Sequence, residues 1–340
     1  MRNCRRNLKN SRLTQKKMNN RYILELSGEN IEIAHTEIKS IQETYKNFQV
    51  IFLREKFALI DGDPGKVMNS AFTNYISRVI SESDDYNNFT GTEIPDGFFY
   101  VRVIGKAKTE TEGIESEIGR NLGGKGRISF KNPDFIVRAI FLDKWYLCIL
   151  TYERDKKRFE ERRAPMRPFF SPVSLHPKYA RYLVNTSGTV EGDTLLDPFC
   201  GTGGILIEAS LLGRKIIGND SELNMVMGTK LNFKYFSIEN YKMYNLDIAS
   251  LSLDKKVDGI VTDMPYGRSS GINNHDIVEL YKESFMKFNG LLKNRGKCSI
   301  IVNNIQFLDY AVKYFNIEKI VPVYQHKSLI RQFVILSRIN

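Results

Sequence analysis

Apolar residues along this chain change their spacing twice, and the changes divide it. Residues 1–20 show no apolar periodicity. From Tyr22 the run Tyr-Ile-Leu-Glu-Leu alternates as a half-buried strand does. Up to about residue 150 the pattern predicts short strands at 22–26, 49–53, 57–60, 98–104, 135–140 and 145–150. Helical stretches such as 31–41 and 66–80 lie between them, an α+β arrangement. Residues 152–172 are charged and then broken by Pro165, Pro168 and Pro172, which predicts a linker.

Beyond the linker the pattern becomes strand, helix, strand, helix: 194–197, 204–212, 215–219, 223–236, 257–262, 278–292, 298–303 and 305–315. Continuous apolar strands joined by helical crossovers predict a doubly wound, Rossmann-like parallel sheet of the α/β class. Two final strands, 317–324 and 329–337, predict an antiparallel hairpin closing the sheet edge. The expected organisation is a basic tail without fixed structure at 1–20, an α+β region at 21–151, a linker at 152–172 and an α/β domain at 173–340. No repeat of fixed period is present.

The net charge of +11 points to an anionic partner, but it is unevenly placed. Residues 1–20 hold seven Lys and Arg and no acid, leaving 43 basic against 39 acidic residues elsewhere. Met18 stands just before the first strand, so the tail is either a misplaced start or an arm for RNA phosphates; both readings stay open. No run has the length and apolarity of a signal peptide or membrane span, which predicts a soluble cytoplasmic protein. Cys4, Cys148, Cys200 and Cys298, like His35, His176, His275 and His326, are too scattered to predict a metal site.

Three motifs carry chemistry. Asp197-Pro-Phe-Cys-Gly201-Thr202-Gly203-Gly204 follows one predicted strand and opens the next helix. Its glycines allow a turn that passes close to a ligand. It differs from GxGxxG and lacks the Lys-Ser/Thr of a P-loop, and a strand-ending Asp suits a cationic or amine-bearing ligand better than a pyrophosphate. Asp220 ends the next strand, where an acid can bind ribose hydroxyls or cap the following helix. Asp247 falls near the end of the third strand and could accept an adenine amine or be a loop carboxylate. Asp263-Met264-Pro265-Tyr266-Gly267 then follows the strand at 257–262. An amine conjugated to a purine is a poor nucleophile, because its lone pair is delocalised. The Asp263 carboxylate and the Met264 carbonyl can accept its N–H groups and localise that pair, Pro265 stiffens the loop, and Tyr266 offers a face on which an extruded base stacks. Upstream, the Gly-rich, cationic stretch 119–131 is either a solvated loop or a phosphate clamp.

The Asp-x-Pro-Tyr element resembles the (Asp/Asn/Ser)-Pro-Pro-(Tyr/Phe) motif of amino-methyltransferases. With Arg167-Pro-Phe-Phe-Ser-Pro upstream, Tyr266-Gly-Arg-Ser-Ser downstream, and the Tyr22-Ile-Leu-Glu-Leu and Asn132-Pro-Asp-Phe-Ile-Val-Arg138 stretches, the chain from about residue 20 to 340 resembles the archaeal tRNA (guanine-10 N2)-methyltransferases and their eukaryotic relatives. The resemblance implies a ferredoxin-like unit and a THUMP RNA-binding domain before a class I methyltransferase domain. It also implies S-adenosylmethionine as cofactor and tRNA as partner; no metal is expected from the Cys and His spacing, and the chain is taken as a monomer. Asp197, Gly201, Thr202 and Gly203 would border the cofactor's methionine, Asp220 its ribose and Asp247 its adenine amine. Asp263, Met264, Pro265 and Tyr266 would be catalytic, and Lys125, Arg127, Phe170 and Arg268 would contact substrate. The chain departs from the usual motif at Met264, where Pro is common: the carbonyl acceptor survives, but one fixed φ is lost. The same chemistry on ribosomal guanine, DNA adenine or protein glutamine is the alternative, and a non-enzymatic RNA-binding protein is a third reading that the three carboxylates argue against.

Overall fold

The computed structural model describes residues 20–123, 127–155, 157–172, 174–266, 274–326 and 329–339. They form two compact units that a single cut does not separate. The first holds the described residues up to 31 together with Asn47–Met68 and Thr73–Arg154; the second holds Glu32–Lys46, Asn69–Phe72 and the described residues from Asp155 onward.

In chain order the elements begin with β1 (Arg21–Leu26), α1 (Ile31–Tyr45), β2 (Phe48–Arg54), β3 (Phe57–Gly62), β4 (Thr73–Ser83), β5 (Phe99–Ile104), α2 (Lys108–Asn121), β6 (Phe135–Phe141) and β7 (Trp145–Glu153). The seven strands make one sheet in the order β2-β3-β1-β4-β7-β6-β5, in which only β5 and β6 run parallel. Alternation along β5 buries Phe99, Val101 and Val103 and leaves Arg102 exposed. Two predicted features are corrected. Residues 66–80, expected as a helix, form a 3-10 turn at Gly65–Asn69 and then β4. Thr73, Tyr75, Ile76, Val79 and Ile80 favour a strand, and β4 finds ladder partners on both sides, in β1 and β7. The stretch 119–131 does not begin as a loop, because α2 runs to Asn121.

The second unit continues with α3 (Lys157–Glu160), α4 (Pro177–Thr186), β8 (Thr194–Asp197), α5 (Gly204–Ser210), β9 (Lys215–Asn219), α6 (Leu223–Tyr235), β10 (Tyr241–Tyr244), β11 (Val257–Asp263), α7 (Asn274–Leu291), β12 (Leu292–Val302), β13 (Phe315–His326) and β14 (Leu329–Arg338). Its sheet runs β10-β9-β8-β11-β12-β14-β13, with β10 to β12 parallel and β14 antiparallel to both neighbours. The doubly wound reading holds, with one adjustment. The final hairpin does not merely cap the edge, since β14 inserts between β12 and β13. Residues 305–315, expected as a helix, give only a 3-10 turn at Ile305–Tyr310, started by the Asn304 side chain accepting from the Gln306 amide at 3.0 Å. Chain order reverses at β8, so the carboxyl ends of β8 and β11 flank the switch point where ligands bind such sheets.

The stretch expected as a linker is packed. Asn232 on α6 accepts from the Phe169 amide at 3.0 Å and donates to its carbonyl at 2.8 Å. The Phe169 ring lies so close over Gly228 that a Cβ there would stand 2.0 Å from a ring carbon. Glu208, buried on α5, binds both Arg162 at 2.6 Å and Arg181 at 2.6 Å, one carboxylate between two guanidinium groups. α1 is held in the same unit by Glu37. Its buried carboxylate accepts from the Ser70 hydroxyl (2.6 Å), the Ala71 and Phe72 amides (2.8 and 3.0 Å) and the Asn185 amide group (2.7 Å). Burial raises the Glu37 pKa, and the four donors oppose that rise.

Replacing Glu37 by Ala strands those donors, and urea unfolding should register a loss of about 3 kcal/mol; a loss within error would show that the pin is dispensable. Gly228→Ala should cost about 1–3 kcal/mol through overpacking and speed proteolytic cleavage within residues 155–172. Unchanged cleavage would mean that Phe169 is not seated as described.

Candidate active site

Two strands of the parallel sheet, β8 and β11, end in acids and a third, β9, is followed by one; the loops after β8 and β9 are tied together. Asp197 closes β8 and is buried, with its carboxylate accepting from the Phe199 amide at 3.2 Å. Burial pushes its pKa up to about 8, opposed by the Thr262 hydroxyl and the Phe199 amide and reinforced by Asp220 and Asp263. Asp220 follows β9, and its two oxygens accept from the Gly201 amide (2.8 Å) and the Glu222 amide (3.0 Å). Asp220 is not the helix N-cap, a position that Glu222 holds without a side-chain capping bond; its carboxylate instead orders the turn before α6 and clamps the glycine loop. Its pKa is raised, first by burial, with the two amides pulling it down.

The glycines differ in purpose. Gly201 has a φ of +50°, and a Cβ on it would meet nothing within 4 Å, so its open side can take a ligand. Gly203 has a φ of +76°, but a Cβ there would lie 2.7 Å from Thr229; its smallness serves packing against α6. Thr202 is buried, and its hydroxyl lies 3.1 Å from the Ser174 hydroxyl and 3.5 Å from the Arg167 guanidinium. It is engaged by the segment before the domain. Asp247 is exposed and stands at the N-cap of a 3-10 turn without a side-chain capping bond.

Asp263 closes β11. The Tyr266 hydroxyl donates to its Oδ1, and the Arg331 guanidinium stands 3.7 Å from its Oδ2. Burial raises the Asp263 pKa, with Arg331 and then Tyr266 opposing, and the Tyr266 hydroxyl is pushed far up by burial and by Asp263. Met264 is buried, and its amide donates to the Ile301 carbonyl at 3.0 Å, a bond that proline could not make. The φ freedom expected from the missing proline is thus offset by one further rung to β12. The Pro265 carbonyl accepts from the buried Tyr281 hydroxyl of α7 at 3.3 Å.

Of the residues expected to touch substrate, Lys125 and Arg268 lie outside the described residues. Phe170 is exposed beside the inserted Phe169. Arg127 donates to the Gly97 carbonyl at 3.1 Å and the Pro95 carbonyl at 2.5 Å, so much of its guanidinium braces the segment that leads into β5. Asn219, Tyr281 and Arg331 were not anticipated. Asn219, buried, donates to the Pro198 and Leu246 carbonyls (3.1 and 2.9 Å) and accepts from the Leu246 amide at 3.1 Å, binding the loops after β8 and β10 to the end of β9. Its signal was an amide immediately before the strand-ending acid. Arg331 is a charge in phase with the apolar Phe333 and Ile335 of one strand, a pattern that marks a cation facing inward. Among the described residues, no group of three His, Cys, Asp or Glu is placed to hold a metal ion, and no helix is long and apolar enough to cross a membrane.

Comparison with known proteins agrees with this geometry. A family model described as an RMKL-like methyltransferase domain matches residues 164–331, and a DNA methylase model matches residues 95–230. The solved structure of TrmN from Thermus thermophilus superposes with a TM-score of 0.57 at 17% identity, covering 94% of this chain and all of that one, which is a likeness of fold. The tRNA (guanine(10)-N2)-dimethyltransferase of Pyrococcus abyssi is 35% identical over 254 residues, 72% of this chain and 75% of the relative. That of Methanothermobacter thermautotrophicus is 31% identical over 334 residues, 92% of this chain and 98% of the relative. With end-to-end similarity at that level and strand-ending acids on a doubly wound sheet, the chain belongs to the tRNA (guanine(10)-N2)-dimethyltransferase family.

Proposed function

We propose that this protein methylates the exocyclic N2 of a guanosine in tRNA, at position 10, once or twice, with S-adenosylmethionine as donor. The observation that carries the reading is the gathering of Asp197, Asp220 and Asp263 at the carboxyl edge of adjacent strands, acids whose ionised forms a cationic ligand would favour. The donor presents an electrophilic methyl on a sulfonium and leaves as a neutral thioether. Asp197 and the open side of Gly201 border its methionine part, Asp220 accepts from its ribose hydroxyls, and Asp247 is the candidate for its adenine amine. Gly203 and Thr202 act by shaping that loop.

On the substrate side, the Asp263 carboxylate and the Met264 carbonyl accept the guanine N2 hydrogens and turn the nitrogen lone pair outward. As the N–C bond forms, the nitrogen sheds a proton, and Asp263 is its acceptor. Tyr266, held to Asp263 through its hydroxyl, keeps a ring face for the extruded base. In the first unit, a cavity of about 600 Å³ between β5 and α2 is lined by Arg102, Arg120, Glu112, Glu115, Ile128 and Phe130, with the Arg102 guanidinium 3.7 Å from Glu115. There Phe130, 67% exposed, stacks on Tyr100 at 5.6 Å. The exposed Phe130 ring supports a stacking contact with an unpaired base, while Glu112 and Glu115 balance the two guanidinium groups there.

Asp263→Ala should lower the methylation rate by at least about 100-fold while tRNA affinity, read by filter binding, stays within about twofold. Loss of binding in step with activity would make Asp263 structural instead. The pH dependence of cofactor binding follows from Asp197. Its pKa of about 8 lies above the ordinary 3.8, so the folded chain holds a proton that the unfolded chain has lost. Its contribution to stability therefore declines as pH rises through that window. A sulfonium beside Asp197 favours the carboxylate and displaces the proton. Calorimetry should find affinity for S-adenosylmethionine rising between about pH 6 and 8, by up to about tenfold per unit, with a shallower rise for the uncharged S-adenosylhomocysteine. Equal slopes for the two ligands would remove Asp197 from contact with the sulfonium.

A further inference from the structure

Arg331 projects from β14, where its partner on β13 is Val323, and it is only 9% exposed. Its guanidinium carbon lies 5.8 Å from the Tyr266 ring centroid, and its Nη2 is 3.7 Å from Asp263 Oδ2. Its Nε is buried and has no hydrogen-bond partner among the described residues. An arginine buried in this way loses hydration without gaining full hydrogen bonding, which calls for a reason at a functional site. The separation from Asp263 is informative. At 3.7 Å the contact is too long for a hydrogen bond, yet the Coulomb attraction is nearly undiminished, and the pair is sheltered from solvent.

We propose that Arg331 is a positioning residue for methyl transfer: it keeps Asp263 in its carboxylate form and steadies the Tyr266 ring, while standing back from the oxygen that must receive the amine. The inference rests on the reading of Asp263 as proton acceptor. The groups that face this carboxylate are Arg331 from β14, Tyr266 from its own loop, Tyr281 from α7 and Asp197 from β8. Burial favours a proton on Asp263. A protonated Asp263 would present an O–H to the guanine N2 hydrogens and could not take a proton from them. The Tyr266 hydroxyl, donating to Oδ1, opposes that outcome, and Arg331 does so more strongly without occupying a lone pair of Oδ2. A closer, hydrogen-bonded guanidinium would hold the same charge but compete with the substrate amine for the acceptor.

The test has two arms on the full chain. Carboxyl carbons of ligand-free protein labelled at aspartate are titrated by NMR, with Asp263→Asn assigning the resonance. In Arg331→Gln the Asp263 midpoint should rise by about one pH unit or more, whereas Arg331→Lys, which keeps the charge, should leave it near the wild-type position. In single-turnover methylation of unmodified tRNA transcript, the acid limb of Arg331→Gln should move upward by the same amount, so that a rate loss of about tenfold near pH 6.5 shrinks at higher pH. An unmoved midpoint in a variant that keeps wild-type shift dispersion overturns the proposal, as does a rate loss equal at every pH. If the wild-type protein methylates no tRNA, the proposed function fails, and the titration still decides the role of Arg331.

Discussion

The cost of withdrawing clustered carboxylates from water is the constraint on which the C-terminal unit turns. Parallel strands that end side by side bring Asp197, Asp220 and Asp263 to one edge of a sheet whose interior is apolar. Each acid is stabilised differently. Asp197 is the deepest and is pushed towards the neutral acid; Asp220 is fixed by two backbone amides; Asp263 has a phenol and a guanidinium. Environments that separate the behaviour of like groups in this way are how one cluster of acids divides binding from proton transfer.

The precision of that arrangement comes from neighbours that carry no charge. Asn219 gathers the loops after β8 and β10 onto β9, and Asn232 joins the glycine loop to the 167–171 segment, donating to the Thr202 carbonyl at 2.9 Å. Met264 extends the β11 ladder past the acid it must hold. Side chains fixed by such surrounding bonds lose little freedom when ligand arrives, which is what preorganisation means in physical terms.

Much of this was legible in the sequence. Continuous apolar strands with helical crossovers identified the doubly wound sheet, and strand-ending acids at regular intervals marked the site, because both signals are local. The misreadings have physical causes. The apolar spacing in 66–80 can be drawn on a helix, and only the ladder partners on both sides, distant in sequence, make it β4. Proline and charge in 152–172 look like a tether until a glycine on α6, some sixty residues later, opens a slot for Phe169. Arg127 was read for its charge, whereas nearby carbonyls use its donors. Arg331 was missed because its partner lies sixty-eight positions earlier; the only trace is a cation at an inward phase of a strand.

The discontinuous make-up of the second unit bears on how the chain matures on the ribosome. α1 emerges early, with Ile33, Ala34, Ile38 and Ile41 destined for burial, but α4, which donates to Glu37 through Asn185, is synthesised more than a hundred residues later. During that interval Glu37 has its donors from Ser70, Ala71 and Phe72 within reach but lacks the Asn185 amide, while the remaining strands of the first unit are being made. The second unit therefore cannot be completed until the whole first unit has been synthesised, an order unlike the vectorial folding of one completed domain after another.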